Sequence, residues 1–241
     1  MTFFNADIAA MYDHPSDPMN SPEVIDPTVE FLRQLVGDGA ALEFAIGTGR
    51  IGVPLAGRGV PVSGIEFSEP MAAVMKEKPG AAGIDLTIGD MSSTRVDGSF
   101  SLVYLVYNTI GNLLEQDEQV ACFVNAASHL VAGGHFVVET GVPRLQRLGP
   151  GEKYLAFDVS EGHMGIDEFD VLQQRLTSHH QWVRDGVATT FSSTHRYAWP
   201  AEYDLMARIA GLQLVQRWAG WDREPFTADS RSHVSVWQKP G

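Results

Sequence analysis

The sequence predicts an α/β fold: a doubly wound parallel sheet with an antiparallel insertion. Three observations predict it. Apolar strand-like runs alternate with amphipathic helical segments up to Glu139, a glycine-rich turn follows the first run, and after Glu139 the rhythm gives way to strand-like stretches without helices between them.

Residues 5 to 22 mix Asp, Pro, Ser and Asn around one aromatic, Tyr12, and read as a loop-rich arm. Asp26-Pro27 then starts a helix. Asp26 is placed to cap it, Pro27 suits the first helical position, and Ile25, Val29, Leu32 and Val36 recur at helical spacing until Gly37. Strands are expected at about 40–46, 61–66, 84–88, 101–106 and 134–139, separated by helices at about 50–58, 69–77 and 115–130. Right-handed crossovers make such a sheet doubly wound. Pro54 is tolerable only if it lies in the first turn of its helix. Within 152–198, two strand-like stretches flank Asp185-Gly186, a hairpin signal. An antiparallel insertion after the fifth strand would lie over the carboxyl ends of the sheet, where ligands of such folds bind, as a substrate wall or a homodimer contact. A helix at 200–210 and strands at 212–219 and 232–238 complete a single domain over 1–241. Its parts are an N-terminal arm and helix (1–38), a cofactor-binding core (40–140), the insertion (141–199), and a C-terminal helix and strand pair (200–241).

The 241 residues carry a formal net charge of −13, which argues against nucleic acid or an anionic membrane as partner and for a small neutral or cationic one. Cys122 is the one cysteine, so no intramolecular disulfide or CxxC metal pair exists; it reads as a packed helix residue in a reducing cytoplasm. The start of the chain lacks the basic and apolar regions of a signal peptide, and no segment approaches eighteen apolar residues. A cytoplasmic protein is expected.

The run Ala41-Leu42-Glu43-Phe44-Ala45-Ile46-Gly47-Thr48-Gly49-Arg50 is a short strand and a turn in which Gly47 and Gly49 let the backbone approach a ligand. Gly47-x-Gly49-x-x-Gly52 also satisfies the dinucleotide fingerprint, with Glu66 where a ribose-binding acid belongs. Electrostatics separates two cofactors. A Glu43 carboxylate would repel a pyrophosphate and support the ammonium of S-adenosylmethionine, while Arg50 argues mildly the other way.

Further along, Val62-Ser63-Gly64-Ile65-Glu66-Phe67-Ser68-Glu69-Pro70-Met71, Gly89-Asp90-Met91 and Leu130-Val131-Ala132-Gly133-Gly134-His135-Phe136-Val137-Val138-Glu139 follow in order. With the glycine turn, they resemble the successive motifs of class I S-adenosylmethionine-dependent methyltransferases over roughly residues 40 to 140. Ala45 stands where that family usually has Gly. The resemblance implies a Rossmann-like seven-stranded sheet with an antiparallel strand in its terminal pair, and S-adenosylmethionine as cofactor. Glu66 would accept both ribose hydroxyls, Phe67 and Met71 would flank the adenine, and Asp90 would accept from its amino group beside a backbone contact from Met91. Glu43, Ala45, Gly47, Gly49 and Val106 complete the expected cofactor contacts. Tyr12 would close over the methionine end, and Asn108, after the fourth strand, would accept from a substrate amine or hydroxyl; these two are the catalytic candidates. The carboxylate of Glu66 is expected to meet ligand rather than protein groups, so Glu66→Ala should spare the fold.

Val106-Tyr107-Asn108-Thr109 departs from the Asn/Asp-Pro-Pro-Tyr pattern of methyltransferases acting on nucleic-acid or protein amides. His129 reads as a helix-end residue favoured by the dipole, and His179 and His180 point to opposite faces of one strand, so they cannot chelate a metal together. His163, His195 and His233 are not placed by pattern. No metal site or general base is evident, which tilts the reading toward N-methylation of a small molecule, with a loose likeness to the sugar-amine N-methyltransferases of antibiotic pathways. The alternatives are a nicotinamide-dependent oxidoreductase and a protein of the same fold that binds S-adenosylmethionine without transferring methyl.

Overall fold

Four buried residues, Ala41–Phe44, form β1, an interior strand of a seven-stranded sheet. The computed structural model describes residues 4–14, 18–184 and 186–241. Parallel to β1 run β2 (Val62–Glu66), β3 (Asp85–Ile88), β4 (Phe100–Leu105) and β5 (Leu130–Gly141), in the order β3-β2-β1-β4-β5. Beyond β5, the sheet gains β11 (Ser232–Gln238), antiparallel to it, and then β10 (Gln213–Trp218) at the edge. The antiparallel strand expected in the terminal pair is therefore present.

Helices cover both faces, and the two-residue period of the strands divides the core accordingly. Leu42, Phe44, Val103, Leu105, Phe136 and Val138 pack against Cys122 and Phe123 of α5 (Gln116–His129) and Tyr203 and Met206 of α6 (Pro200–Ile209). Ala41, Leu102, Tyr104 and Val137 pack on the other face against Val29, Leu32 and Val36 of α2 (Pro22–Val36) and Leu55 of α3 (Gly52–Gly57). Cys122 is buried in the first of these cores. Pro54 sits in the first turn of α3, and α4 (Glu69–Lys76) follows β2 with the Ser68 hydroxyl accepting the Met71 N–H at 3.3 Å.

Boundaries differ from expectation at three places. The arm contains a short helix, α1 (Ala6–Met11), whose N-cap Asn5 accepts the Ile8 N–H at 3.0 Å. Next, α2 begins at Pro22, not Pro27, so Pro27 lies inside the helix; Asp26 is not its cap but accepts from Arg58 at 2.9 Å. Finally, β5 begins at Leu130, where a register shift between Phe100 and Leu102 of β4 accommodates the additional residues.

The insertion is a four-stranded antiparallel sheet of β6 (Tyr154–Ser160), β7 (His163–Asp170), β8 (Arg175–Arg184) and β9 (Val187–Arg196). β8 and β9 pair down to Arg184 and Val187. Of the expected Asp185-Gly186 turn, Asp185 lies outside the described residues, and Gly186 has φ +76°. Among the described residues, no helix is long and apolar enough to cross a membrane.

Candidate functional site

A cavity of about 350 Å³ opens at the carboxyl ends of the parallel strands, a volume within the roughly 300–1,000 Å³ of small-molecule sites. Its walls are the turn after β1 (Ala45, Gly47), the end of β2 (Glu66, Phe67), the start of α4 (Met71) and the turn after β3 (Asp90, Met91). Thr109 and Asn112 after β4, Glu118 of α5, Ser193, Thr194 and His195 of β9, and Phe4 and Tyr12 of the arm enclose it further. The insertion thus contributes a wall of the cavity.

Glu66 joins two of these walls. One carboxylate oxygen accepts the Gly47 N–H at 2.7 Å and the other the Ser68 N–H at 2.8 Å. The carboxylate therefore does meet protein groups, contrary to the expectation that ligand hydroxyls are its partners; with about four lone-pair directions on its two oxygens it still has room for a further donor. Burial raises the pKa of Glu66, opposed by these backbone hydrogen bonds. Gly47 has φ +59°, and Ala45, at φ +51°, holds the same left-handed conformation with a side chain. This is why glycine suits position 45 and why alanine there carries local strain.

Asp90 uses one oxygen to accept from the backbone N–H and the hydroxyl of Ser92, both at 2.7 Å, which shapes the turn. Phe67, Met71 and Met91 supply apolar surface around the cavity. Ties of the arm to the core include Ser68 donating to the Phe4 carbonyl at 2.6 Å, Thr48 donating to Asp13 at 2.7 Å, and Lys78 pairing with Asp13 at 2.8 Å. Phe4 and Tyr12 meet edge to face with ring centroids 5.9 Å apart.

Four expected site residues do not border the cavity. Glu43 points to the α2 and α3 side of the sheet, 2% exposed, where it accepts from the Tyr104 hydroxyl at 2.9 Å. Burial pushes its pKa up to about 8, so it is a neutral acid at pH 7 and neither repels a pyrophosphate nor supports an ammonium. Gly52 makes room for it, since a Cβ there would lie 2.6 Å from a Glu43 oxygen. Gly49 turns with φ +77° against Met75 and Val53. Val106 is buried in the core beneath α2. Asn108 accepts from the Thr140 hydroxyl and from the Gly141 N–H at 3.1 Å, so its carbonyl serves the end of β5 rather than a substrate. Arg50 is committed as well, donating to the Met19 carbonyl at 3.0 Å and lying over the Tyr107 ring.

Among the histidines, His129 ends α5 but as a neutral core group. One ring nitrogen faces the Asn125 carbonyl at 2.8 Å, the other accepts the Val96 N–H at 3.1 Å, and burial lowers its pKa. Its expected favourable charge on the helix dipole is thus replaced by hydrogen bonding. His233 is buried away from the cavity against Ser235, its pKa pushed down to about 3. His195 does border the cavity, and its buried Nδ1 has no hydrogen-bond partner among the described residues. Sequence gave no means to place it, because its side depends on the parity of β9 and on where the insertion rests.

The residues fit S-adenosylmethionine. Three carboxyl groups, those of Glu66, Asp90 and Glu118, border the cavity, and among the described residues no Lys or Arg does. A pyrophosphate would find no cation, whereas hydroxyls, an amino group and a sulfonium would find acceptors beside apolar walls.

Comparison with known proteins agrees. Residues 41–134 match the family model described as a methyltransferase domain. The chain is 29% identical over 204 residues, 82% of each protein, to the cypemycin N-terminal methyltransferase of a Streptomyces species. The CcbJ methyltransferase of Streptomyces caelestis superposes with a TM-score of 0.85 at 35% identity, over 97% of this chain and 96% of that one. The S-adenosylmethionine-bound amino pentose methyltransferase CalS10 of Micromonospora echinaspora shares the fold, with a TM-score of 0.68 at 20% identity over 99% and 98% of the two chains.

Proposed function

The chain belongs to the S-adenosylmethionine-dependent methyltransferases, and we propose that it methylates an amine of a small molecule. The cofactor is S-adenosylmethionine, and the nicotinamide alternative is not favoured. The carrying observation is the charge of the cavity wall: no Lys or Arg borders it among the described residues, and once Glu66 and Asp90 hold the cofactor the carboxyl left to the acceptor is that of Glu118. Such a wall attracts cations, and most aliphatic amines are cationic near neutral pH. The N-terminal methylation named for the cypemycin relative is transfer to an amine, which supports the same class. The net charge of −13 favours a small cationic acceptor over a nucleic acid, and the single cysteine suits a reducing cytoplasm.

In this reading, the remaining lone-pair directions of Glu66 receive the ribose hydroxyls, Phe67 and Met71 flank the adenine, and the free oxygen of Asp90 takes its amino group. Tyr12, on the tied-down arm, covers the methionine end. When bound, S-adenosylmethionine supplies a methyl group already activated by its sulfonium. The protein aligns the acceptor with that methyl, excludes water, and leaves the acceptor nitrogen its lone pair.

The test is release of S-adenosylhomocysteine with D-glucosamine and an N-terminal alanyl tripeptide, beside their N-acetylated forms and a phenol. Turnover of the free amines and none of the acetylated forms is expected. Turnover of the phenol alone would overturn the reading.

A further inference from the structure

The geometry points to His195 as the group that takes the proton from the acceptor amine, an inference that rests on the amine reading above. His195 borders the cavity from the end of β9, together with Ser193 and Thr194. Nδ1 is buried and has no hydrogen-bond partner among the described residues. Nδ1 has no surface open to the cavity, so the ring atom left to meet a ligand is Nε2, and the orphaned Nδ1 shows that no described protein group claims the imidazole.

The surrounding structure holds the ring in place. Next to it, Arg196 points to the opposite face of β9, is 4% exposed, and donates to Gln119, Gln174 and Glu202. Gln119 in turn donates to the carbonyls of Ile110 and Leu113, which ties β9 to the turn after β4. That turn approaches closely: a Cβ on Gly111 would lie 3.2 Å from the His195 Cβ and 3.2 Å from the Arg196 carbonyl. His195 is therefore fixed from behind and below, with its ring left to the cavity.

His195 faces Leu176 across the strand pair and Gly111 below, neither of them titratable; the titratable groups sharing its cavity are Tyr12, Glu66, Asp90 and Glu118. Burial alone lowers its pKa, so the imidazole is neutral near pH 7 and able to accept a proton. The step balances simply. The acceptor ammonium gives one proton to the imidazole, and the freed lone pair forms the N–C bond to the methyl carbon. The S–C bond breaks with its electron pair returning to sulfur. The imidazolium then yields its proton to solvent.

His195→Gln keeps size and polarity without a base. Parent and variant are compared with D-glucosamine and the alanyl tripeptide from pH 6 to 9.5, with S-adenosylhomocysteine titrations and thermal scans of both proteins. The expected result is cofactor-product affinity and Tm unchanged, kcat/KM at pH 7 reduced roughly tenfold to a thousandfold, and a deficit that shrinks as pH rises, because solvent then deprotonates the amine. A deficit of the same size at every pH would show a structural role and overturn the inference. So would a variant with the parent profile. In the parent bound to S-adenosylhomocysteine, ¹⁵N NMR of the imidazole should show a neutral ring at pH 7; a charged ring would also overturn it. Amines inert with the parent would instead sink the amine reading beneath it.

Discussion

Glu66 and Gly47 form one unit: the acid ending β2 accepts, at 2.7 Å, the backbone N–H of the glycine in the turn after β1. The same carboxylate accepts the Ser68 N–H at the head of α4. A single side chain thus orders three segments of the cavity wall.

Removing it should therefore affect both binding and fold. Glu66→Ala leaves the buried Ser68 N–H unpaired, which costs about 1–3 kcal/mol, while water entering the cavity can reach Gly47. The apo Tm should fall by roughly 3–10 °C. S-adenosylhomocysteine affinity should drop about thirtyfold to a thousandfold by isothermal titration, the loss of roughly 2–4 kcal/mol of charge-assisted bonding. An unchanged affinity would remove Glu66 from the cofactor site.

Glu43 supplies a pH signature. Its folded pKa, about 8, lies above the unfolded value of 4.5, so between these values the folded state holds a proton that the unfolded state has released. Stability should be greatest below pH 4.5 as far as this group is concerned, fall as pH rises, and level off above 8. Glu43→Gln mimics the neutral acid and should flatten this decline. Denaturant unfolding of both proteins from pH 5 to 9 checks it; parallel curves would show that Glu43 ionises normally.

These two acids show what was legible in the sequence and what was not. Both stand at or near the end of neighbouring parallel strands, and both were read as cofactor contacts. By register the two acids share one face of the sheet, but Glu66 is the last residue of β2 and reaches the cavity, whereas Glu43 lies one residue before the end of β1 and stays buried in the core beneath α2 and α3. Its partner, Tyr104, is sixty-one residues away, beyond any local pattern. The alternation of strands, the glycine turn and Asp90 are local signals, and they were readable. Asn108 was misread because its carbonyl partners, Thr140 and Gly141, belong to another strand. Placing His195 required knowing where the insertion rests.

Arg196 and Glu202 are a buried ion pair at 2.6 Å, with side chains 4% and 17% exposed. Truncating Arg196 to Ala leaves Glu202 without its countercharge, with Gln116 and Gln174 as its remaining donors, and should cost about 3–5 kcal/mol by denaturant unfolding. The Arg196→Ala/Glu202→Gln double variant should recover part of that loss, because the uncompensated charge is gone. Simple addition of the two single effects would show that the pair is not coupled.

The last prediction concerns the arm. Asp13 is the link that fastens Tyr12 beside the cavity, since it accepts from Thr48 at 2.7 Å and pairs with Lys78 at 2.8 Å, the ion pair being 27% and 29% exposed. Partly exposed contacts of this kind contribute little to global stability, about 0–1 kcal/mol, and neither of the two sheet cores depends on them. Asp13→Ala should leave the apo Tm within about 2 °C of the parent. What it should change is the local opening of residues 4–14, because two ties of the arm to the core, those to Thr48 and Lys78, are lost together. Cleavage within the arm by a dilute protease should quicken, and S-adenosylhomocysteine should bind several-fold more weakly, since Phe4 and Tyr12 are part of the cavity wall it occupies. Thr48→Ala removes one of the two contacts to Asp13 and should fall between parent and Asp13→Ala in both measurements. A graded series of this kind separates a clasp from a passive surface contact, for which cleavage and affinity would stay at the parent values in both variants.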